Sequence, residues 1–238
     1  MSIVENIGAI RQRITAATHR AGRSANDIAL MAVTKTHPPE LIRKAHAAGL
    51  RLFGENRVQE FAGKAAALAD LAGAEWHMIG HLQSNKAGKA VELFGAVDSI
   101  DSVKLAEKLD AAARSAGKKL AVLIEINVGG EAAKSGVAPD SRELEELLLA
   151  APRLEALQFR GLMTVPPFAD DPEHARPCFR KLRELRDAIA RRKLPAVSTD
   201  VLSMGMSHDF EVAIDEGSTC VRVGTAIFGE RPGERLKP

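Results

Sequence analysis

The chain has 238 residues, 45% of them hydrophobic and 27% charged, with a formal net charge of +2. That length fits one large core or two small ones, and the composition is that of a globular protein. So small a net charge gives no electrostatic case for nucleic acid or a membrane surface, and no apolar run approaches the length of a bilayer span.

The first residues, MSIVENIGAIRQRITAATHR, scatter charge over helical spacing. They predict an amphipathic helix over residues 3–21 rather than a signal peptide. Eight short apolar runs follow, at 28–34, 51–54, 76–80, 96–100, 120–128, 159–165, 201–205 and 220–228. Several are apolar on both faces, as buried parallel strands are. Between them lie amphipathic stretches at 39–48, 56–71, 85–94, 102–116, 140–150, 172–192 and 208–216. Pro39 sits in a first turn, Ser102 stands where a helix cap belongs, and Gly49, Gly117 and Gly217 follow helix ends. The last residues, 230–238, read as a loose polar tail.

Eight strand–helix repeats predict an α/β fold: a single (β/α)8 TIM barrel over residues 1–238, with an extra N-terminal helix. A doubly wound open sheet is the rival, but no GxGxxG opens any helix. The two cysteines, Cys178 and Cys220, form no CxxC, which reads as a reduced, cytoplasmic setting.

Barrel active sites form at the C-terminal ends of the strands. The first run ends in Lys35, Thr36 and His37, before Pro38 and Pro39. The second ends in Glu55, Asn56 and Arg57, the third in Gly80 and His81, and the fourth in Ser99 and Asp101. The fifth gives Asn127 and then VGGEAAKSGV, and the sixth Met163 and Thr164. The seventh runs from Ser203 through Gly205 to Ser207, and the eighth gives Arg222, Gly224 and Thr225. Lys35 reads either as a snorkelling surface cation or as a Schiff-base nucleophile. The latter needs neighbouring cations, for which His37, Arg57 and Lys86 are the candidates.

The segment SMGMSHDFEVAIDEG places small and hydroxyl residues before a helix, which suits an anion. The plainer reading has Ser207 capping that helix, with Glu211 in its first turn. Gly224 and Thr225 on the neighbouring strand complete the place where barrels commonly hold phosphate. Arg222 shares a strand face with Gly224 and needs a partner, either a carboxylate such as Glu125 or a ligand atom. His77 and His81 are about 13 Å apart on an extended strand, too far for a shared metal ion, and no metal site is read here. The basic run 183–193 reads as the solvated face of a helix.

The segments AVTKTHP, FGENRVQE, WHMIGHLQSNK, the GLMT strand and LSMGMSHDFEVAIDEGSTCVRVGTAIFGER resemble the pyridoxal phosphate homeostasis proteins, the YggS/PROSC family, over nearly the whole chain. The resemblance implies a fold similar to the N-terminal barrel of alanine racemase and of fold-type III decarboxylases, with pyridoxal 5′-phosphate (PLP) as ligand. It implies Lys35 as the residue of the internal aldimine, and Ser207, Gly224 and Thr225 around the phosphate, with Ser203 and Gly205 in the same loop. Arg222 matches the arginine that faces the pyridine nitrogen and keeps it unprotonated. Asn56, Met78 and His81 lie in family motifs around the cofactor.

The chain contains no tyrosine, whereas alanine racemase opposes a lysine to a tyrosine from a second domain. Neither this chain nor an identical partner can supply that second base. The leading expectation is therefore a monomeric carrier and buffer of PLP, supplying PLP-dependent apo-enzymes and having no catalytic residue. The alternatives are an amino-acid racemase or lyase of weak activity, and a cofactor-free Schiff-base aldolase.

Overall fold

The structure, a computed structural model, describes residues 1–131 and 135–229. The tail 230–238, expected to be loose, lies outside the described residues. Eight strands pair in parallel and in sequence order: β1 (Ala29–Val33), β2 (Leu52–Glu55), β3 (Glu75–Met78), β4 (Ala96–Ile100), β5 (Leu120–Glu125), β6 (Leu157–Met163), β7 (Val197–Met206) and β8 (Cys220–Val223). β8 returns to β1, with Ala29 opposite Cys220 and Ala32 opposite Val223. That closure makes a barrel and excludes the open sheet.

α1 (Ile3–Arg20) precedes the barrel. α2 (Pro39–Ala47), α3 (Val58–Ala65), α4 (Ala87–Leu93), α5 (Val103–Ser115), α6 (Arg142–Ala150), α7 (Arg176–Arg192) and α8 (Phe210–Asp215) each link consecutive strands, and α9 (Thr225–Phe228) follows β8. The local signals act as their chemistry requires. Pro38 is the N-cap of α2 and Pro39 lies in its first turn. Ser102 Oγ accepts the N–H of Leu105, and Gly117 takes φ 63° beyond the end of α5.

α1 buries Ile7, Ile10, Ile14 and Ala17 along one stripe and packs on α8 and α9. Asn6 Nδ2 donates to Ile227 O at 2.9 Å, and Arg13 pairs with Glu211 at 2.8 Å while lying 4.5 Å over the Phe210 ring. The extra helix thus braces the chain that leaves β7 and β8.

Three sequence expectations need correction. The run 220–228 is a strand only to Val223, and Thr225–Phe228 is helical. The N–H groups of Gly224 and Ala226 are taken by Ser207 Oγ at 3.2 and 3.3 Å instead of a strand ladder. The stretch 56–71 holds α3 and a single tighter turn, Ala66–Leu68. The basic segment 183–193 does lie on a helix face, but it is partly paired: Arg183 meets Glu216 at 2.8 Å and Arg192 meets Glu145 at 2.6 Å.

Candidate functional site

The C-terminal ends of β1, β7 and β8 surround a cleft of about 530 Å³. Lys35, His37, Ser207, His208, Asp209, Arg222, Gly224 and Thr225 line it, and Pro167 and Phe168 flank it. Phe168 is 79% exposed, the most exposed of the large hydrophobic side chains that line the cleft.

Each functional group arrives there for a local reason. Met31 and Ala32 anchor β1 in the core, and the chain leaves the strand at Lys35 because Pro38 and Pro39 forbid its continuation. On β7, Gly205 has φ 94°, and a Cβ there would stand 2.5 Å from Ala213 Cβ and 2.9 Å from Phe210 Cα. Glycine is what lets α8 pack so close to the strand. Ser207 follows and turns its hydroxyl to the chain after β8. It does not cap α8, as the plainer sequence reading had it. Asp209 stands at that N-cap, and its Oδ1 accepts the Met206 N–H at 2.6 Å. Burial holds the Asp209 carboxyl above the usual carboxylate range.

Arg222 is almost fully buried. Its guanidinium donates to Ser203 Oγ at 2.6 Å and to Thr164 O at 2.7 Å. The carboxylate partner considered from sequence, Glu125, is not it: among the described residues Arg222 forms no ion pair. Glu125 Oε1 instead accepts the Ser135 hydroxyl at 2.9 Å. Burial weakens the hold of Arg222 on its proton, but a guanidinium remains charged. The Arg222 charge is thus held by two neutral oxygens at the cleft wall.

A second cavity, about 340 Å³, lies at the ends of β2, β3 and β5. Asn56, Gly80, His81, Glu125 and Asn127 line it. His81 Nδ1 meets Asp101 at 3.2 Å, and His77 Nδ1 meets Asp98 at 3.1 Å. Each histidine has a carboxylate, and no group of three or more metal-ligating side chains occurs among the described residues. Burial pushes the Glu125 carboxyl up, and its Oε2 is buried with no hydrogen-bond partner among the described residues.

The structure therefore brings Lys35, Ser207, Arg222, Gly224 and Thr225 to one cleft, with Asn56 and His81 at the neighbouring cavity. Met78 is buried in the barrel and lines neither. Ser203 and Gly205 also stand behind the wall, Ser203 holding Arg222 and Gly205 admitting α8. Of the cations expected beside Lys35, His37 lines the cleft, while Arg57 and Lys86 do not. Arg222 lines it as well. Sequence reasoning missed Asp209, Pro167 and Phe168. Only the Asp209 position, at the start of a helix, carried a signal.

Among the described residues no helix is long and apolar enough to cross a membrane. Residues 6–232 match the family model "Alanine racemase, N-terminal domain". The pyridoxal phosphate homeostasis protein of Aquifex aeolicus is 48% identical over 232 residues, 97% of this chain and 99% of that one. That of Pseudomonas aeruginosa is 44% identical over 97% and 96%. PipY of Synechococcus elongatus, solved with PLP bound, superposes with a TM-score of 0.83 at 37% identity, covering 96% of this chain and all of that one. Alanine racemase of Streptomyces coelicolor gives a TM-score of 0.71 at 26% identity, matching 94% of this chain but only 59% of its own. This chain belongs to the family of pyridoxal phosphate homeostasis proteins, on the alanine racemase N-terminal-domain fold.

Proposed function

We propose that this chain is a pyridoxal 5′-phosphate carrier that takes the cofactor in the cleft at the ends of β1, β7 and β8. The observation that carries the reading is the convergence there of an amine, a buried guanidinium and a hydroxyl bridging two main-chain N–H groups. That donor set fits the group. PLP supplies an aldehyde for an amine, a phosphate for hydrogen-bond donors and a ring nitrogen for a charged neighbour.

Lys35 presents the amine at the cleft. Ser207 and Thr225 offer hydroxyls to phosphate oxygens, and the N–H groups of Gly224 and Ala226 hold Ser207 Oγ in place there. Packing alone does not demand glycine at 224, because a Cβ there would meet Val33 only at 3.4 Å. Arg222 turns a fixed positive charge toward the ring position and disfavours a proton there. Asn56 and His81 border the far side from the second cavity. Met78, Ser203 and Gly205 act from behind the wall.

We read the chain as a cytoplasmic monomer that exchanges PLP with apo-enzymes. Its open cleft and its two cysteines, held as thiols rather than as a disulfide, support this. A two-base racemase would need a second base opposite Lys35. The chain has no tyrosine, and burial pushes the Cys220 thiol up to about 12, out of use as a base near neutrality.

The test is the visible spectrum of the purified protein before and after borohydride, with peptide mapping of the reduced product. A yellow protein labelled at Lys35, with Lys35→Ala unlabelled but still retaining PLP noncovalently, is the expected result. A label on another lysine, or a colourless protein that ignores added PLP, overturns the reading. Solvent deuterium entering the α-position of an amino acid would convert the carrier into an enzyme.

A further inference from the structure

Lys35 sits between residues whose main chain is gripped from outside the strand. Thr36 has φ 65°, in the left-handed region that a β-branched residue seldom enters. Its N–H donates to the Glu60 carboxylate. Glu60 lies on α3 one turn before Lys64, so both face the same way. Lys64 Nζ donates to Thr34 O at 2.9 Å and to His37 O at 3.3 Å. It also stands 2.8 Å from Glu55 and 3.3 Å from Glu60. The Thr34 hydroxyl donates to Glu55 as well. α3 therefore holds a carbonyl before Lys35 and an N–H and a carbonyl after it.

Lys64 and Glu55 are buried, and their pairing alone would staple α3 to β2. Glu60 adds something a staple does not need. It is half-buried, and its oxygen is spent on the one N–H whose release would let Thr36 fall back to negative φ. That relaxation would swing Lys35 relative to His37 and the proline entry of α2.

We infer that Glu60 is a positioning residue for Lys35. Its carboxylate, steadied by Lys64, keeps Thr36 left-handed so that Lys35 leaves β1 into the cleft. The inference rests on Lys35 being the residue that captures PLP.

The test mixes full-length apo-protein with PLP and follows the rise of visible absorbance, with borohydride reduction and mapping at the end. Melting curves are recorded for every variant. Glu60→Ala is expected to capture at Lys35 roughly ten- to a hundredfold more slowly than wild type. Adding Thr36→Gly to Glu60→Ala should restore most of the rate, because glycine adopts positive φ without a side-chain penalty. A merely structural Glu60 would not be rescued that way. Thr36→Pro, which removes the N–H and fixes a negative φ, should be slow on its own.

Wild-type rates in Glu60→Ala or in Thr36→Pro overturn the inference, as does a double variant as slow as Glu60→Ala. If wild type itself fixes no label at Lys35, the carrier reading fails first. If it does while Glu60→Ala matches it, only the role of Glu60 fails.

Discussion

The two halves of the barrel mouth use opposite chemistry. At β1, β7 and β8 the cleft is lined by the donors Lys35, Arg222 and the Ser207 hydroxyl, whose oxygen takes the N–H groups of Gly224 and Ala226. At β2, β3 and β5 the histidines have carboxylate partners, and Glu125 keeps a buried oxygen with no hydrogen-bond partner among the described residues. The first half presents the positive charge and hydroxyls on which the proposed phosphate site rests, and the second is nearly self-neutralising. Arg222 joins them. It belongs by position to the first half, and its charge is balanced at a distance by Asp98, Glu125 and Asp209.

Removing that link should have the largest effect. Arg222→Met strips Ser203 Oγ and Thr164 O of their donor and removes the distant positive charge that acts on Asp98, Glu125 and Asp209. A loss of about 3–5 kcal/mol in urea unfolding is expected. A loss below about 1 kcal/mol would mean that the two halves are electrostatically independent. Ser207→Ala should act on one half alone. Loss of its hydroxyl should weaken PLP binding roughly ten- to a hundredfold, while dephosphorylated pyridoxal binds as before. Equal weakening of both ligands in equilibrium titrations would move the phosphate elsewhere.

The barrel was legible because its evidence is repeated: eight apolar runs, seven helical stretches between them, and helix-start signals such as Ser102 and Pro39. Lys35, Ser207, Arg222 and Gly224 were legible as a site because each falls at a strand end. What sequence could not supply was distance. Whether Arg222 meets Glu125 or Ser203 depends on side chains from different strands, and Ser207 left its expected cap for an N–H seventeen positions away in the chain. The Glu60–Thr36 contact stayed invisible for the same reason. A glutamate in the first turn of a helix already has a sufficient local explanation, so nothing in the sequence sends it to a lysine strand end.

Two glycines test the halves separately. Gly205→Ala would force a Cβ to 2.5 Å from Ala213 Cβ at φ 94°, and Gly80→Ala would force one to 2.5 Å from Asn56 O. Both should cost stability, by about 1–3 kcal/mol each in thermal or urea unfolding. Only Gly205→Ala, by moving α8 from β7 and with it the chain carrying Ser207, should also weaken PLP binding more than tenfold. Comparable weakening by Gly80→Ala would bring Asn56 and His81 into the binding site proper and would redraw the boundary between the halves.

The smallest effect belongs to the His77–Asp98 pair of the second half. Burial opposes charge on the His77 imidazole, but the Asp98 charge and hydrogen bond outweigh it, with a smaller push from Glu75, so His77 titrates above an ordinary histidine. A value raised on folding stabilises fully below the unfolded value, about 6.5, and that contribution is lost as pH rises through the folded one. His77→Asn should therefore lower Tm most on the acid side, by no more than about 4 °C, with the deficit shrinking toward alkaline pH. A deficit that grows as pH rises would mean that His77 is held neutral. Asp98 would then face Arg222 with its charge undivided, and the second half would lean on the first more than its geometry suggests.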